Sequence, residues 1–503
     1  MSKFTSKRKN LYFELLQSWC DSLVDLQIEE IKSSGIYGGI MCPVCSRIHG
    51  RSADAVYPLM YLAEETGEDK YLTTAKKLQS WSEHMSCPDG SWVNDTDRLW
   101  KGITVFGTIA LGEALRHHGN ILDDKTYNKW KDRVARAAEY LYKNIEMDTG
   151  NINYPVTCSA AMAISGKLLA ENRFLNRAEE LAHNSLDYFT DNNILFGEGK
   201  PQTGISAKNC RPVDLGYNVE ESLPGLTIYG LIMNDKEVLN QVKKSLASHL
   251  EFMLPDGAWD NSWGNRNYKW TYWGSRTSDG CQIAYELMAE ENPVFAEAAW
   301  RNLKLFERCT NKGKLHGGLH HHQRGELPCI HHTFCHAKTL AGVLDYKTFN
   351  KNKEDKDKIV LPREKEYGIK EFEEINTRLV SRGKWRATVT DYDWEYVAGG
   401  HASGGALSLL YHQEIGPVLS ASMIEYQMVE PHNMQRQRDE IDMSLTPHLE
   451  YEEDGIVYRS DNDYGAEVES REKNGYISIY VEGKLVDKKQ ATSSSGTIEF
   501  DME

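Results

Sequence analysis

The sequence predicts an α+β multidomain protein, with an N-terminal incomplete α/α toroid of helical hairpins followed by a C-terminal antiparallel β-sandwich. A change of pattern along the chain predicts it. From Leu11 to about Leu344, apolar residues recur three or four positions apart in stretches of helical length, separated by loops rich in Gly, Pro, Asp and aromatics. Past residue 374 the period falls to two, in short β-branched runs between turn residues. A content of 40% apolar and 26% charged residues over 503 positions supplies large cores and excludes a mainly disordered chain.

In the helical half, residues 57–65 pair with 71–84, 105–116 with 130–144, and 159–171 with 178–192. The related loops Cys87-Pro-Asp-Gly-Ser-Trp92 and Pro255-Asp-Gly-Ala-Trp-Asp260 lie between such hairpins. Hairpins of this kind cannot bury both faces alone, so they stack, and the aromatic loops at their ends favour a toroid over an open solenoid. The charged stretch 347–373 reads as a linker between a toroid domain, 1–346, and a β domain, 374–503. Strands are predicted at 385–393, 406–411, 418–423, 455–459, 466–470 and 476–481. The strand pattern of 496–503 is still running at the last residue, so the β domain is expected to continue past it.

A net charge of −16, from 58 Lys and Arg against 74 Asp and Glu, leaves no broad basic surface for nucleic acid. The longest apolar run, 223–233, is too short to span a bilayer and contains Pro224, Gly225 and Gly230. The N-terminus lacks the apolar segment and cleavage site of an export signal. By sequence this places the chain in the cytoplasm, or in the periplasm or outside the cell if a leader has been trimmed. The ten cysteines are scattered and read as buried thiols rather than a disulfide framework. The sequence does not specify an oligomeric state.

The densest chemistry lies between residues 259 and 276, with Trp259, Trp263, Trp270 and Trp273 among Tyr268, Tyr272, Arg266, Lys269 and Arg276. Aromatic faces stack on sugar rings, and cationic side chains bind carboxylates or sulfates. The loop therefore reads as an anionic carbohydrate cleft, with packing on the helical core as the other reading. Trp92 and Arg51 are assigned to the same cleft, with Asp54 and Tyr57 following Arg51 onto its helix. Asn218 and Glu221 open a helix, where an amide can donate to a substrate carboxylate with the helix dipole behind it, or cap the helix. His401 stands between glycine pairs before an apolar strand, as a neutral proton acceptor or a turn histidine.

These segments resemble the heparinase II/III-like polysaccharide lyases and their alginate-lyase relatives. Asn218-Val-Glu-Glu-Ser-Leu is similar to that family's Asn-His-x-x-x-Glu helix start, and Asp256-Gly-Ala-Trp-Asp-Asn-Ser262 to its Asp-Gly-x-x-x-Glu-x-Ser loop. Gly400-His-Ala-Ser-Gly-Gly is similar to its His-x-His-x-Asp strand opening, while Val219, Ser403 and Gly405 depart from the pattern. The resemblance implies an incomplete toroid plus a β-sheet domain, and β-elimination on a uronic-acid glycan. That reaction requires the C6 carboxylate to be neutralised, the C5 proton removed and the leaving 4-oxygen protonated. The resemblance further implies Asn218 as neutraliser, Tyr272 or Tyr268 as acid, His401 as partner base, and Glu221 orienting Asn218 or a cationic side chain. The implied substrate is an anionic polysaccharide, such as a glycosaminoglycan, alginate or a rhamnosyl-glucuronate glycan. No cofactor is required for this mechanism.

Two His/Cys clusters remain. In Cys329-Ile-His-His-Thr-Phe-Cys-His336, His331 is a candidate for substrate binding and His332 for catalysis; His332 and His336 also have the spacing of a helical metal pair. Cys42, Cys45 and His49 supply three ligands of a structural zinc, with Cys87 or His84 as fourth, or form a packed, sugar-facing entry to the first hairpin. Structural zinc or calcium is the metal content this sequence allows. Two other functions fit the outline. An inverting glycoside hydrolase needs a carboxylate pair, drawn from Asp95, Asp97, Glu220, Glu221 and Asp260. A non-catalytic carbohydrate-binding protein needs only the tryptophans.

Overall fold

The computed structural model describes residues 7–30, 35–95, 99–270, 280–319, 323, 325, 327–349, 359–430 and 444–494. Its contacts divide the chain into a helical unit, Met1–Leu195 with Tyr217–Leu250 and Thr277–Ile359, and a second unit, Phe196–Gly216 with Glu251–Arg276 and Val360–Glu503.

The longer helices of the first unit are α1 (Lys7–Asp25), α2 (Val56–Thr66), α3 (Asp69–Ser82), α4 (Thr104–His118), α5 (Asp124–Asn144) and α6 (Asn153–Leu169). They continue with α7 (Asn172–Asn184), α8 (Leu223–Met233), α9 (Lys236–His249), α10 (Gln282–Leu287), α11 (Pro293–Cys309) and α12 (Ile330–Tyr346). The even-numbered helices touch in succession from α2 to α12, and α12 returns to α2. Each odd-numbered helix packs on one of them: α3 on α2, α5 on α4, α7 on α6, α9 on α8, α11 on α10 and α1 on α12. The expected toroid is present. Its inner ring closes, because α1 and α12, from opposite ends of the helical region, form the last hairpin.

Composition follows position in the ring. α8 buries every residue from Leu223 to Gly230, as expected of a helix with neighbours all round. α5 buries only a stripe of Trp130, Arg133, Val134, Ala137, Ala138 and Leu141, and is capped by Asp123, whose carboxylate accepts from the Thr126 N–H. The inner helices approach closely: a Cβ at Gly225 would lie 2.9 Å from the Cα of Thr157.

In the second unit, β1 (Gly368–Phe372), β2 (Thr377–Arg382), β3 (Trp385–Thr390), β4 (Ala406–His412) and β5 (Gly416–Ser420) form an antiparallel sheet in sequence order. β6 (Glu450–Glu453), β7 (Ile456–Arg459) and β10 (Val486–Asp487) form a second sheet in the order β10-β7-β6, and β8 (Glu467–Lys473) pairs with β9 (Tyr476–Glu482). The six predicted runs coincide with β3, β4, β5, β7, β8 and β9. β1 falls inside the stretch read as linker, so the sheet begins before residue 374. The pattern at 496–503 lies outside the described residues.

Two loops from the helical half of the sequence, 196–216 and 251–276, belong to this second unit. Buried polar bonds attach them. Arg363 Nη1 donates to Asp260 Oδ2 at 3.0 Å, the Thr388 hydroxyl donates to the same oxygen, and both ion-pair partners are fully buried. The Tyr392 hydroxyl donates to the Arg211 carbonyl at 2.8 Å and accepts from the Val213 N–H at 3.0 Å. Asp260, considered above as a hydrolase carboxylate, is therefore a structural ion. Asp260→Ala should strand the Arg363 charge and destabilise the protein by about 3–5 kcal/mol, measured as a lower urea midpoint.

Candidate active site

The helical unit gathers a buried charged group around Arg51. Its guanidinium lies 4.1 Å from the Phe106 ring centroid and donates to Asp54 Oδ2 and Glu221 Oε1, each at 3.2 Å. Lys338 Nζ donates to the same Asp54 oxygen at 2.7 Å, and Asn153 donates to Glu221 Oε2 at 2.7 Å. Burial works against the Asp54 carboxylate, but Lys338 and Arg51 outweigh it and hold its pKa below the usual value. Glu221 belongs to a five-residue π-helical turn, Asn218–Ser222, just before α8. The wider turn re-aims side chains that a regular α-helix would present differently.

Asn218 is committed elsewhere. Its amide donates to the Leu195 carbonyl at 2.8 Å and to His249 Nε2 at 3.0 Å, which uses both N–H groups. His249 Nδ1 bonds the Ser245 carbonyl at 2.8 Å, so the ring is neutral with Nε2 as acceptor, and burial holds its pKa down at about 4. The expected neutraliser thus has no donor left for a substrate carboxylate, and its side chain does not cap the helix. It cross-links a loop and a helix.

His331 and His332 lie half-buried in the first turn of α12, both kept neutral chiefly by burial. His336 turns inward: its Nδ1 bonds the His332 carbonyl at 2.6 Å and its ring meets Phe306 edge-on at 5.0 Å, and among the described residues the His332–His336 pair is part of no metal-ligand group. Cys42, Cys45 and His49 do come together, with Cys329, all four ligand atoms within 4.8 Å of one another. Cys87 and His84, the expected fourth ligands, are not in this group. Trp92 is a correction too. It is buried beneath the Arg133 guanidinium, 3.5 Å from the ring centroid, and offers no face to a sugar.

The second unit holds the other group. Tyr268 donates to Glu430 Oε1 at 2.9 Å, Lys269 pairs with Glu430 Oε2 at 2.6 Å, and Arg266 pairs with Glu198 Oε2 at 2.9 Å. Arg266 also lies over the Tyr396 ring at 5.0 Å, and that ring stacks on Tyr268 at 6.4 Å. Burial pushes Glu430 up, but Lys269 and Arg266 prevail and hold it ionised with a pKa near 2. Burial, with Arg266 beside it, brings Lys269 down to about 8, and burial raises Tyr268 well above its ordinary value, so the phenol is protonated at neutral pH.

His401 adjoins this group through the residue before it. A Cβ on Gly400 would stand 3.2 Å from Tyr268 Cδ1, so the backbone before His401 packs on the tyrosine ring. The imidazole stacks on Tyr464 at 5.7 Å and meets Tyr392 edge-on at 5.3 Å. Its Nδ1 bonds the Ala402 carbonyl at 3.1 Å, the ring also interacts with the Trp394 backbone, and Nε2 is buried with no hydrogen bond of good geometry. Burial lowers its pKa, so the ring is neutral.

The tryptophans of this loop are corrected as sugar platforms. Trp263 packs on Phe252 at 4.9 Å, Trp270 donates to Asp214 Oδ2 at 3.2 Å and fills the space beside Gly216, and Trp259 is buried. They form core. Tyr272, Trp273, Arg276 and Asp97 lie outside the described residues. Glu198, Glu430, Asn153, Lys338 and Cys329 were missed as site residues. Cys329 was visible beside the histidines, but nothing in the sequence ties it to Cys42.

The second unit thus brings together a protonated phenol beside two cations and, through Gly400, a neutral imidazole. Comparison with known proteins gives the class of enzyme. Residues 16–364 match the ulvan lyase N-terminal domain and residues 369–503 the ulvan lyase C-terminal domain. A broad-specificity ulvan lyase of Formosa agariphila is 44% identical over 499 residues, 98% of this chain and 78% of that protein. The chain is a polysaccharide lyase. It belongs to the ulvan lyase family. Solved structures with similar geometry include the cellobiose 2-epimerase of Bacillus thermoamylovorans, at 12% identity and TM-score 0.48, covering 66% of this chain and 98% of that one. Another is a polysaccharide lyase, at 12% identity and TM-score 0.47, covering 68% and 98%.

Two measurements check the role given to Asn218 and His249. Asn218→Ala should lower stability by about 1–3 kcal/mol, because the Leu195 carbonyl is left buried and unpaired. His249 titrates near 4 when folded and near 6.5 when unfolded, so the unfolded chain binds the extra proton in that window. Stability should therefore fall as pH drops from about 6.5 to about 4, by roughly 3 kcal/mol from this group, and His249→Gln should flatten that part of the profile.

Proposed function

We propose that the chain cleaves ulvan by β-elimination at a uronate residue, with Tyr268 as acid and His401 as base. The observation that carries this reading is the placement of His401 against Tyr268 through Gly400, with Nε2 unpartnered and neutral. The Nε2 lone pair takes the C5 proton, and Tyr268 protonates the leaving 4-oxygen. Arg266 and Lys269 stabilise the negative charge as the phenol gives up its proton, and Glu430 orients both Tyr268 and Lys269. With Asn218 engaged within the fold, these two cations are the proposed source of charge for the C6 carboxylate as well. Glucuronate is the proposed acidic sugar, and the kinship with the heparinase II/III type is part of the same reading, supported by the order of tyrosine loop and histidine strand along the chain.

The test is absorbance of the conjugated unsaturated uronate during incubation with ulvan, for wild type, Tyr268→Phe, Tyr272→Phe and His401→Ala. Tyr268→Phe and His401→Ala should each lower kcat by about 10²–10⁴-fold with unchanged folded-state circular dichroism. Loss in Tyr272→Phe with an active Tyr268→Phe would move the acid to Tyr272. New reducing ends without the absorbance would indicate hydrolysis and overturn the elimination.

A further inference from the structure

The Cys42–Arg47 segment is a tight turn that aims two thiols at a third from the far end of the helical region. The Cys42 N–H donates to the Arg47 carbonyl at 2.9 Å, the Ser46 N–H to the Cys42 carbonyl at 3.0 Å, and Ser46 takes a positive φ of 52°. The Cys45 N–H points at Cys42 Sγ, 3.4 Å away, a donor that stabilises a thiolate there. Cys42 Sγ and Cys45 Sγ each lie 3.6 Å from Cys329 Sγ, and His49 Nε2 lies 3.4 Å from the same sulfur. Zinc bonds of about 2.3 Å to sulfur and 2.0–2.1 Å to nitrogen in tetrahedral array require edges of about 3.8 Å between sulfurs and 3.5 Å from sulfur to nitrogen. The three edges at Cys329 Sγ are close to those separations, and all four atoms lie within 4.8 Å of one another.

We propose that Cys42, Cys45, His49 and Cys329 bind one Zn²⁺ as a closed, structural site. Three soft thiolates and one imidazole select zinc over calcium or magnesium, and four protein ligands leave no open position for water or substrate. Its role follows from what each ligand adjoins. His49 is followed by the 3₁₀ turn Gly50–Ala55, which carries Arg51 and Asp54. Cys329 is the N-cap of α12, which carries His331, His332 and Lys338. The ion clasps the two segments whose side chains meet at Lys338–Asp54, and so fixes the Arg51 group from both sides.

Metal content of the full-length protein, purified without chelator, should be one zinc per chain by plasma mass spectrometry. Cobalt exchanged into the site should show intense thiolate-to-metal charge transfer and the visible bands of a tetrahedral ion. Alkylation read by peptide mass spectrometry should spare Cys42, Cys45 and Cys329 until a strong chelator is added, whereas Cys87 reacts throughout; this readout needs no variant to fold. Cys329→Ser should lose the zinc and lower the melting midpoint, with re-added zinc restoring the midpoint of chelated wild type only. Absence of bound metal together with equal alkylation of all four cysteines before and after chelation overturns the site. Cobalt spectra of an octahedral ion, or metal retained in Cys329→Ser, overturn the ligand set. None of these outcomes depends on which polysaccharide the enzyme cleaves.

Discussion

A charge inside a protein must be paired, and in the helical unit that constraint is met by residues drawn from three distant parts of the chain. Arg51 enters from the turn before α2, Glu221 from the turn before α8, Lys338 from α12, and Asp54 sits between the two cations. None of these ions is stable in the interior without the others, so the group forms only when the inner helices stand in a closed ring. Asn153 extends the network to α6. The cysteine cluster lies beside the same two chain segments, residues 42–54 and 329–338. Ring closure, ion pairing and the meeting of the cysteines therefore draw on the same chain segments.

The second unit uses the same principle with different parts. Two loops that leave the helical region join the β-sheets, attached by Asp260 to Arg363 and by Tyr392 to the backbone at 211 and 213. Because these contacts are buried, the loop carrying Arg266, Tyr268 and Lys269 is held against Glu430 and the strand opening at His401. The aromatic density of this loop has a packing explanation: Trp259, Trp263 and Trp270 are its core, with Arg266, Tyr268 and Lys269 set between the last two. Burial puts the Tyr268 phenol and the His401 imidazole in surroundings of low dielectric. There a phenol stays protonated and an imidazole stays neutral.

Asn218 shows how far local pattern reading reaches. An amide at a helix start is either a cap or a donor to an anion when judged from its neighbours in sequence. Asn218 lies in a π-helical turn, and the partners that use its N–H groups, Leu195 and His249, come from the segment after α7 and from the far end of α9.

By itself the sequence determined the class of fold, the hairpin order, six of the strands, and three of the four members of the Cys/His cluster. Each depends on spacing within one element, and periods of 3.6 and 2 are written locally. Tertiary structure alone decided that α1 and α12 close the ring, that residues 196–216 and 251–276 join the β unit, that the tryptophans are core, and that Cys329, Glu198 and Glu430 complete their sites. These are meetings of residues far apart in the chain, and what selects them is the pairing of buried charges, thiols and polar atoms that no single segment can satisfy alone.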